Sequence, residues 1–152
     1  MSEIKKALDL VKEGEGFVAT PYRCPAGKLT IGYGRNIEAN PLSSEERAQL
    51  IGGAVTKKDA EAWAIKELEK IHAELSKFSW FLALDENRRA AILDMSYNLG
   101  IRGLLNFKKT IEAISQKNWE KAGTELENSR WFLQVGRRAK KIKKIIETGE
   151  IF

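Results

Sequence analysis

Apolar residues return every three to four positions along most of the chain, and in one stretch they do not. Ile4, Ala7, Leu8 and Val11 recur at helical spacing and predict a short amphipathic helix over residues 3–13. Gly14 and Gly16 end it, the first as a C-cap. From Phe17 to Asn40 the period breaks, with Pro21, Pro25 and four glycines from Gly16 to Gly34 separating short β-type pieces such as Leu29-Thr30-Ile31 and Tyr33. The Pro25-Ala26-Gly27 turn between Tyr22-Arg23 and Leu29-Thr30 predicts a hairpin, the one convincing sheet in the sequence.

After Pro41 the pattern is helical to the end. Ser43 with Glu46, and Thr56 with Asp59, match the spacing of a capping box. Ala60, Trp63, Ala64, Leu68, Ile71, Leu75 and Phe78 then form one apolar stripe over 56–78, a helix roughly 34 Å long at about 1.5 Å per residue. Asp85 starts a more hydrophobic helix through Leu99, and shorter ones follow at 107–116, 118–127 (capped by Asn118) and 137–147. The expected fold is α+β and mostly helical, in two lobes. A small α+β hairpin lobe covers about 14–55, a connecting helix 56–79, and an all-α lobe 80–152 together with 1–13, all within one domain of 1–152.

Composition narrows the chemistry. Of 152 residues, 43% are hydrophobic and 31% charged, a globular balance with no run near the ~20 apolar residues of a membrane span. The first residues carry acid and lysine into an amphipathic run rather than a signal-peptide core, so the expectation is a soluble chain made in the cytoplasm. Cys24 and His72 are the single cysteine and histidine, which rules out an internal disulfide and argues against a Cys/His zinc site. The glycines near Gly32 and Gly34 miss the phosphate-loop and dinucleotide spacings, and no cofactor or metal is expected. The net charge of +5 is uneven. Residues 1–76 hold 11 Lys+Arg against 12 Asp+Glu, and residues 77–152 hold 15 against 9, which suggests a polyanionic partner of some kind.

Three residues stand out for chemistry. Glu15 follows the first helix, Cys24 lies on the leading side of the hairpin, and Thr30 is on the returning strand. A turn brings the last two together, and the helix end can aim Glu15 at the same space. A helix C-terminus disfavours a carboxylate, and so does a cleft, which favours the protonated form a general acid needs. Taken singly, Glu15 reads as a solvated acid, Cys24 as a small buried hydrophobe and Thr30 as a β-former. Trp63, Trp80, Trp119 and Trp131 read as core, and His72 as a boundary residue of the long helix.

Together, Glu15-Gly16, Tyr22-Arg23-Cys24, Gly27 and Thr30-Ile31-Gly32-Tyr33-Gly34 resemble the phage-type lysozymes, the endolysins of glycoside hydrolase family 24. The resemblance continues through Val55-Thr56-Lys57-Lys58-Asp59-Ala60-Glu61, Arg88-Arg89-Ala90-Ala91-Ile92, Asn128-Ser129-Arg130-Trp131 and Arg137-Arg138-Ala139-Lys140-Lys141, covering essentially the whole chain. It implies cleavage of the β-1,4 bond between N-acetylmuramic acid and N-acetylglucosamine in peptidoglycan. Glu15 matches the family's general acid and Thr30 the threonine that places the attacking water. Cys24 matches a position usually held by aspartate; it could polarise water as thiolate, act as nucleophile, or shape the site, and the first is favoured.

Arg138 matches an arginine that pairs with the glutamate across the cleft, favouring its carboxylate and so opposing the helix end. Tyr97 matches an aromatic at the sugar cleft, and Thr110 a hydroxyl near the substrate peptide. Glu125 stands at a family amide position, and Arg35 replaces a histidine, which removes one familiar salt bridge. The resemblance further implies a monomer held in the host cytoplasm until a holin lets it reach the wall. An anionic membrane is a further contact for the basic run Arg137 to Lys144, and nucleic acid is not expected as a partner. The competing expectation is a non-catalytic wall- or membrane-binding protein acting through its basic C-terminal helix.

Overall fold

The computed structural model describes residues 2–151; Met1 and Phe152, the ends of the expected 1–152 domain, lie outside the described residues. The first helix, α1 (Ser2–Glu15), buries Ile4, Ala7, Leu8, Leu10 and Val11 against the helical body. It is two residues longer at its C-terminal end than its periodicity predicts. Gly14 is helical, not a cap: a Cβ there would strike the Arg138 side chain. The helix stops at Gly16, whose φ of 70° only glycine adopts without strain and whose N–H closes the last turn on Lys12.

Strands β1 (Val18–Arg23), β2 (Leu29–Gly32) and β3 (Arg35–Asn36) form an antiparallel sheet in that order. Tyr22 pairs with Thr30 and Arg23 with Leu29, while an irregularity shifts the register on the way to Val18 opposite Gly32. The predicted hairpin is present: Gly27 N–H donates to the Cys24 carbonyl and Cys24 N–H to that of Lys28. The two-residue β3 has no counterpart in the sequence pattern, because so short a piece carries no alternation.

Helix α2 (Ser44–Gln49) starts on the complete Ser43–Glu46 capping box. Arg35, which stands where the resemblance implies a histidine, makes a salt bridge of its own. Its guanidinium donates to both Glu46 oxygens at 3.0 Å and to the Asn40 and Pro41 carbonyls, tying β3 to α2. Glu46 is held by that fork at a pKa of about 2, against burial and with help from Ser43.

The long helix α3 (Lys57–Leu75) buries Ala60, Trp63, Ala64, Leu68, Ile71 and Leu75 and is capped by Thr56, whose hydroxyl accepts from Asp59 N–H. It is shorter than its stripe suggests, because Ser76 ends it and Phe78 belongs to the turn before α4 (Ser79–Leu82). At about 1.5 Å per residue its 19 residues span about 28 Å. Capped by Asp85, α5 (Glu86–Leu105) is broken at Gly100, near the predicted end at Leu99. Then come α6 (Lys108–Ser115), α7 (Trp119–Glu127), α8 (Arg130–Val135) and α9 (Arg137–Thr148).

The core centres on α5, packed by α1, α3 and α9; Ala90, Ala91, Leu93, Ala139, Ile145 and Ile146 are fully buried in it. Trp63 and Trp131 are buried, and Trp80 and Trp119 pack half-buried against the core. His72 lies at the boundary, 2.7 Å from Glu3, which also accepts from Arg89. Among the described residues no helix is long and apolar enough to cross a membrane.

Candidate active site

Because α1 runs to Glu15, its carboxyl projects from the last helical turn rather than from the loop beyond. Gly34 lies against it, and a Cβ at that position would overlap the carboxyl group. With φ at 71°, Gly34 both turns β2 into β3 and leaves the space that the acid fills. Arg138, the second residue of α9, donates from Nη1 to Glu15 Oε2 at 2.6 Å. The pairing expected between residues 123 positions apart is therefore present in the structure.

Cys24 and Thr30 meet through the hairpin. In the antiparallel register Tyr22 pairs with Thr30, and Cys24 follows directly after the end of β1, its N–H donating to the Lys28 carbonyl. The backbone N–H of Lys28 holds the Cys24 thiol below its ordinary value, with help from Ala26 N–H and the Thr30 hydroxyl against some desolvation. Thr30, 4% exposed, also donates from Oγ1 to the Lys28 carbonyl at 2.8 Å. Arg23 does not serve the thiol: it donates to Gly27 O and Glu38 instead. Burial raises the Tyr22 phenol, and the charges of Glu15 and Cys24 raise it further, so Tyr22 senses both groups.

Tyr97 reaches the same region from α5. Its hydroxyl donates to the Tyr33 carbonyl at 2.6 Å, and burial, followed by the Glu15 and Glu67 charges, keeps the phenol protonated well above the usual range. Thr110 stands apart from this cluster. It is buried on α6 and lines a separate groove with Asn106, Phe107, Lys108, Lys109 and Glu125.

Asp94 and Tyr22 belong to the site and are absent from the candidates that the sequence suggests. Asp94 is the carboxylate inside the run Ala90-Ala91-Ile92-Leu93-Asp94-Met95-Ser96, where every residue is buried. An acid in so apolar a stretch is a readable signal, since burial demands a partner. Tyr22 is legible as the i−2 neighbour of Cys24, near the end of β1. Among the described residues no cluster of three or more His, Cys, Asp or Glu could hold a metal ion.

Fold and site together define a mostly helical α+β, lysozyme-like protein. The chain belongs to the phage lysozyme family, whose sequence pattern matches residues 12–145. It is 30% identical over 163 residues to probable T4-type lysozyme 1 of Dictyostelium discoideum, and 27% identical over 161 residues to probable T4-type lysozyme 2. Both alignments cover 94% of this chain and 94% of the relative. An endolysin of Acyrthosiphon pisum secondary endosymbiont phage 1 is 30% identical over 97 residues, covering 64% of this chain and 59% of that one. The chain thus falls among lysozyme-like glycoside hydrolases.

Proposed function

We propose that the chain is a muramidase that hydrolyses the β-1,4 bond between N-acetylmuramic acid and N-acetylglucosamine in peptidoglycan. The observation that carries the reading is that the Glu15 carboxyl, bonded to Arg138, lies against Gly34 just beyond the strand that carries Thr30, in the hairpin that also holds Cys24. Glu15 protonates the leaving glycosidic oxygen while the sugar ring gains oxocarbenium-like character. Cys24, as thiolate, polarises the attacking water, and Thr30 helps to place it. Arg138 fixes the orientation of the acid, and Tyr97 borders the sugar cleft. Thr110, in its separate groove, is a contact for the peptide arm of the substrate, with Glu125 beside it in place of the family amide.

In the cell this activity serves lysis of a bacterial host by a phage or prophage. The enzyme acts as a monomer on the wall from the periplasmic side, after a holin opens the membrane. The alternative, a non-catalytic protein disrupting membranes through α9, meets a physical obstacle. Ala139, Ile142, Ile145 and Ile146 are at most 1% exposed, so the apolar side of that helix is already used by the core. Its polar side, with Lys140 and Lys144 exposed, faces solvent.

The test is release of new reducing ends from purified peptidoglycan by wild type and by Glu15→Gln. Release by wild type and a loss of about a thousandfold or more in the variant is the expected result. A folded wild type that releases nothing, or a variant that retains its rate, overturns the reading.

A further inference from the structure

Arg138 is gripped on its inner side as firmly as on its outer side. Nε and Nη2 donate to the two oxygens of Asp94 at 3.1 and 2.6 Å, and only Nη1 reaches Glu15. The side chains of Asp94 and Arg138 are 1% and 9% exposed, and that of Glu15 19%. One guanidinium therefore lies between two carboxyl groups.

The charges decide what this can do. A Glu15–Arg138 pair alone is neutral when the glutamate is ionised, and protonating the glutamate would strand a nearly buried cation. With Asp94 present, the trio carries a net negative charge when both carboxyls are ionised and becomes neutral on taking up one proton. Burial favours the neutral form. We propose that Asp94 is a positioning residue for Glu15: it satisfies the inner side of Arg138, so that Arg138 can orient the acid without requiring it to stay ionised. The inference rests on the muramidase reading for its purpose, but not for its physics.

Other charges face the trio from each packed element. Glu13 of α1 and Arg137 and Lys141 of α9 line the cavity of about 180 Å³ that also touches Asp94 and Arg138, and Lys141 is paired with Glu13 at 2.6 Å. Tyr22 and Cys24 lie on the hairpin side, and Tyr97, Arg35 and Glu67 lie towards α5, β3 and α3. Burial raises the Asp94 carboxyl against the pull of Arg138, the guanidinium that both acids share.

The experiment follows the side-chain carboxyl signals of Glu15 and Asp94 by carbon NMR across pH 3–8 in wild type and Asp94→Asn, alongside the pH profile of reducing-end release. In the variant the Glu15 titration and the alkaline limb of the activity profile should both move about one unit or more towards acid. At the pH where wild type retains half its activity, the variant should then be several-fold slower, approaching about tenfold at higher pH. Glu13→Gln, which removes the same charge from the same cavity without touching Arg138, should move neither by a comparable amount.

An unmoved Glu15 titration in folded Asp94→Asn overturns the inference, as does a Glu13→Gln shift of equal size. If Asp94→Asn does not fold, the wild-type titration decides alone. Proton uptake by Glu15 while Asp94 stays largely ionised upholds the inference, and uptake by Asp94 with Glu15 ionised throughout overturns it. Wild type without activity but with the expected Glu15 shift would sink the muramidase reading and leave this one standing.

Discussion

At the scale of single residues, Cys24 poses the sharpest question, because a thiol stands where the family usually has a carboxylate. An ordinary thiol is only a few per cent ionised at neutral pH, too little to assist water strongly. Here the Lys28 and Ala26 amides and the Thr30 hydroxyl all favour the thiolate. Lowering the thiol's value enlarges the ionised fraction on the neutral side, so the acid limb of the wild-type activity profile should follow formation of the thiolate. Cys24→Ser keeps the size of the side chain and removes that ionisation. It is expected to lose about tenfold or more in rate at pH 8 and to lose the thiolate-dependent rise. Full activity of the serine variant between pH 6 and 9 would show that the sulfur's charge is irrelevant.

At the scale of elements, the small sheet depends on what is attached to it. Strand β3 has two residues, far too few to hold itself, and the Arg35–Glu46 fork anchors it to α2. Glu46 falls from 4.5 to about 2 on folding. The sign follows from that direction: a depressed carboxylate contributes stability that is complete above pH 4.5 and is lost as pH falls through about 2. The shift corresponds to something on the order of 3 kcal/mol. Urea unfolding from pH 6 down to 2 should therefore show a fall in wild type that is much shallower in Glu46→Gln. Equal slopes in the two proteins would mean that the fork does not stabilise the fold. Because the sheet carries Thr30 and leads into Cys24, acid loosening here would reach the candidate site as well.

At the scale of the whole molecule, the sheet and the helical body meet across Glu15, and one hydroxyl joins them directly. Tyr97 of α5 donates to the Tyr33 carbonyl beyond β2, between residues 64 positions apart in the chain. A neutral hydrogen bond of this kind contributes about 1 kcal/mol net, and leaving its buried partner unpaired costs a comparable amount. Tyr97→Phe keeps the ring and removes only the hydroxyl. It should be less stable by about 1 kcal/mol or somewhat more, and amides of residues 31–36 should exchange with solvent faster than in wild type. Exchange confined to wild-type rates would show that the hydroxyl does not hold the two parts together.

Much of this architecture is legible in the amino-acid sequence. The stripes of α1 and α3 and the caps Ser43, Thr56, Asp85 and Asn118 are local signals, since helix period and capping act within four residues. The hairpin is legible for the same reason, and with it the nearness of Cys24 and Thr30. The short pieces β3, α4 and α8 are not, because two to six residues are too few to express a period. Gly14 misleads for a physical reason: its missing side chain makes room for Arg138 from α9, a requirement with no local trace. Arg138 is recognisable through resemblance, whereas Asp94 shows itself only as an acid in apolar company. The family pattern, most helices and the residues available for chemistry are thus written in short-range spacing along the chain. Packing alone settles that α1, α5 and α9 bring Glu15, Arg138 and Asp94 into one charge-sharing chain, because that geometry arises from how buried helix faces meet.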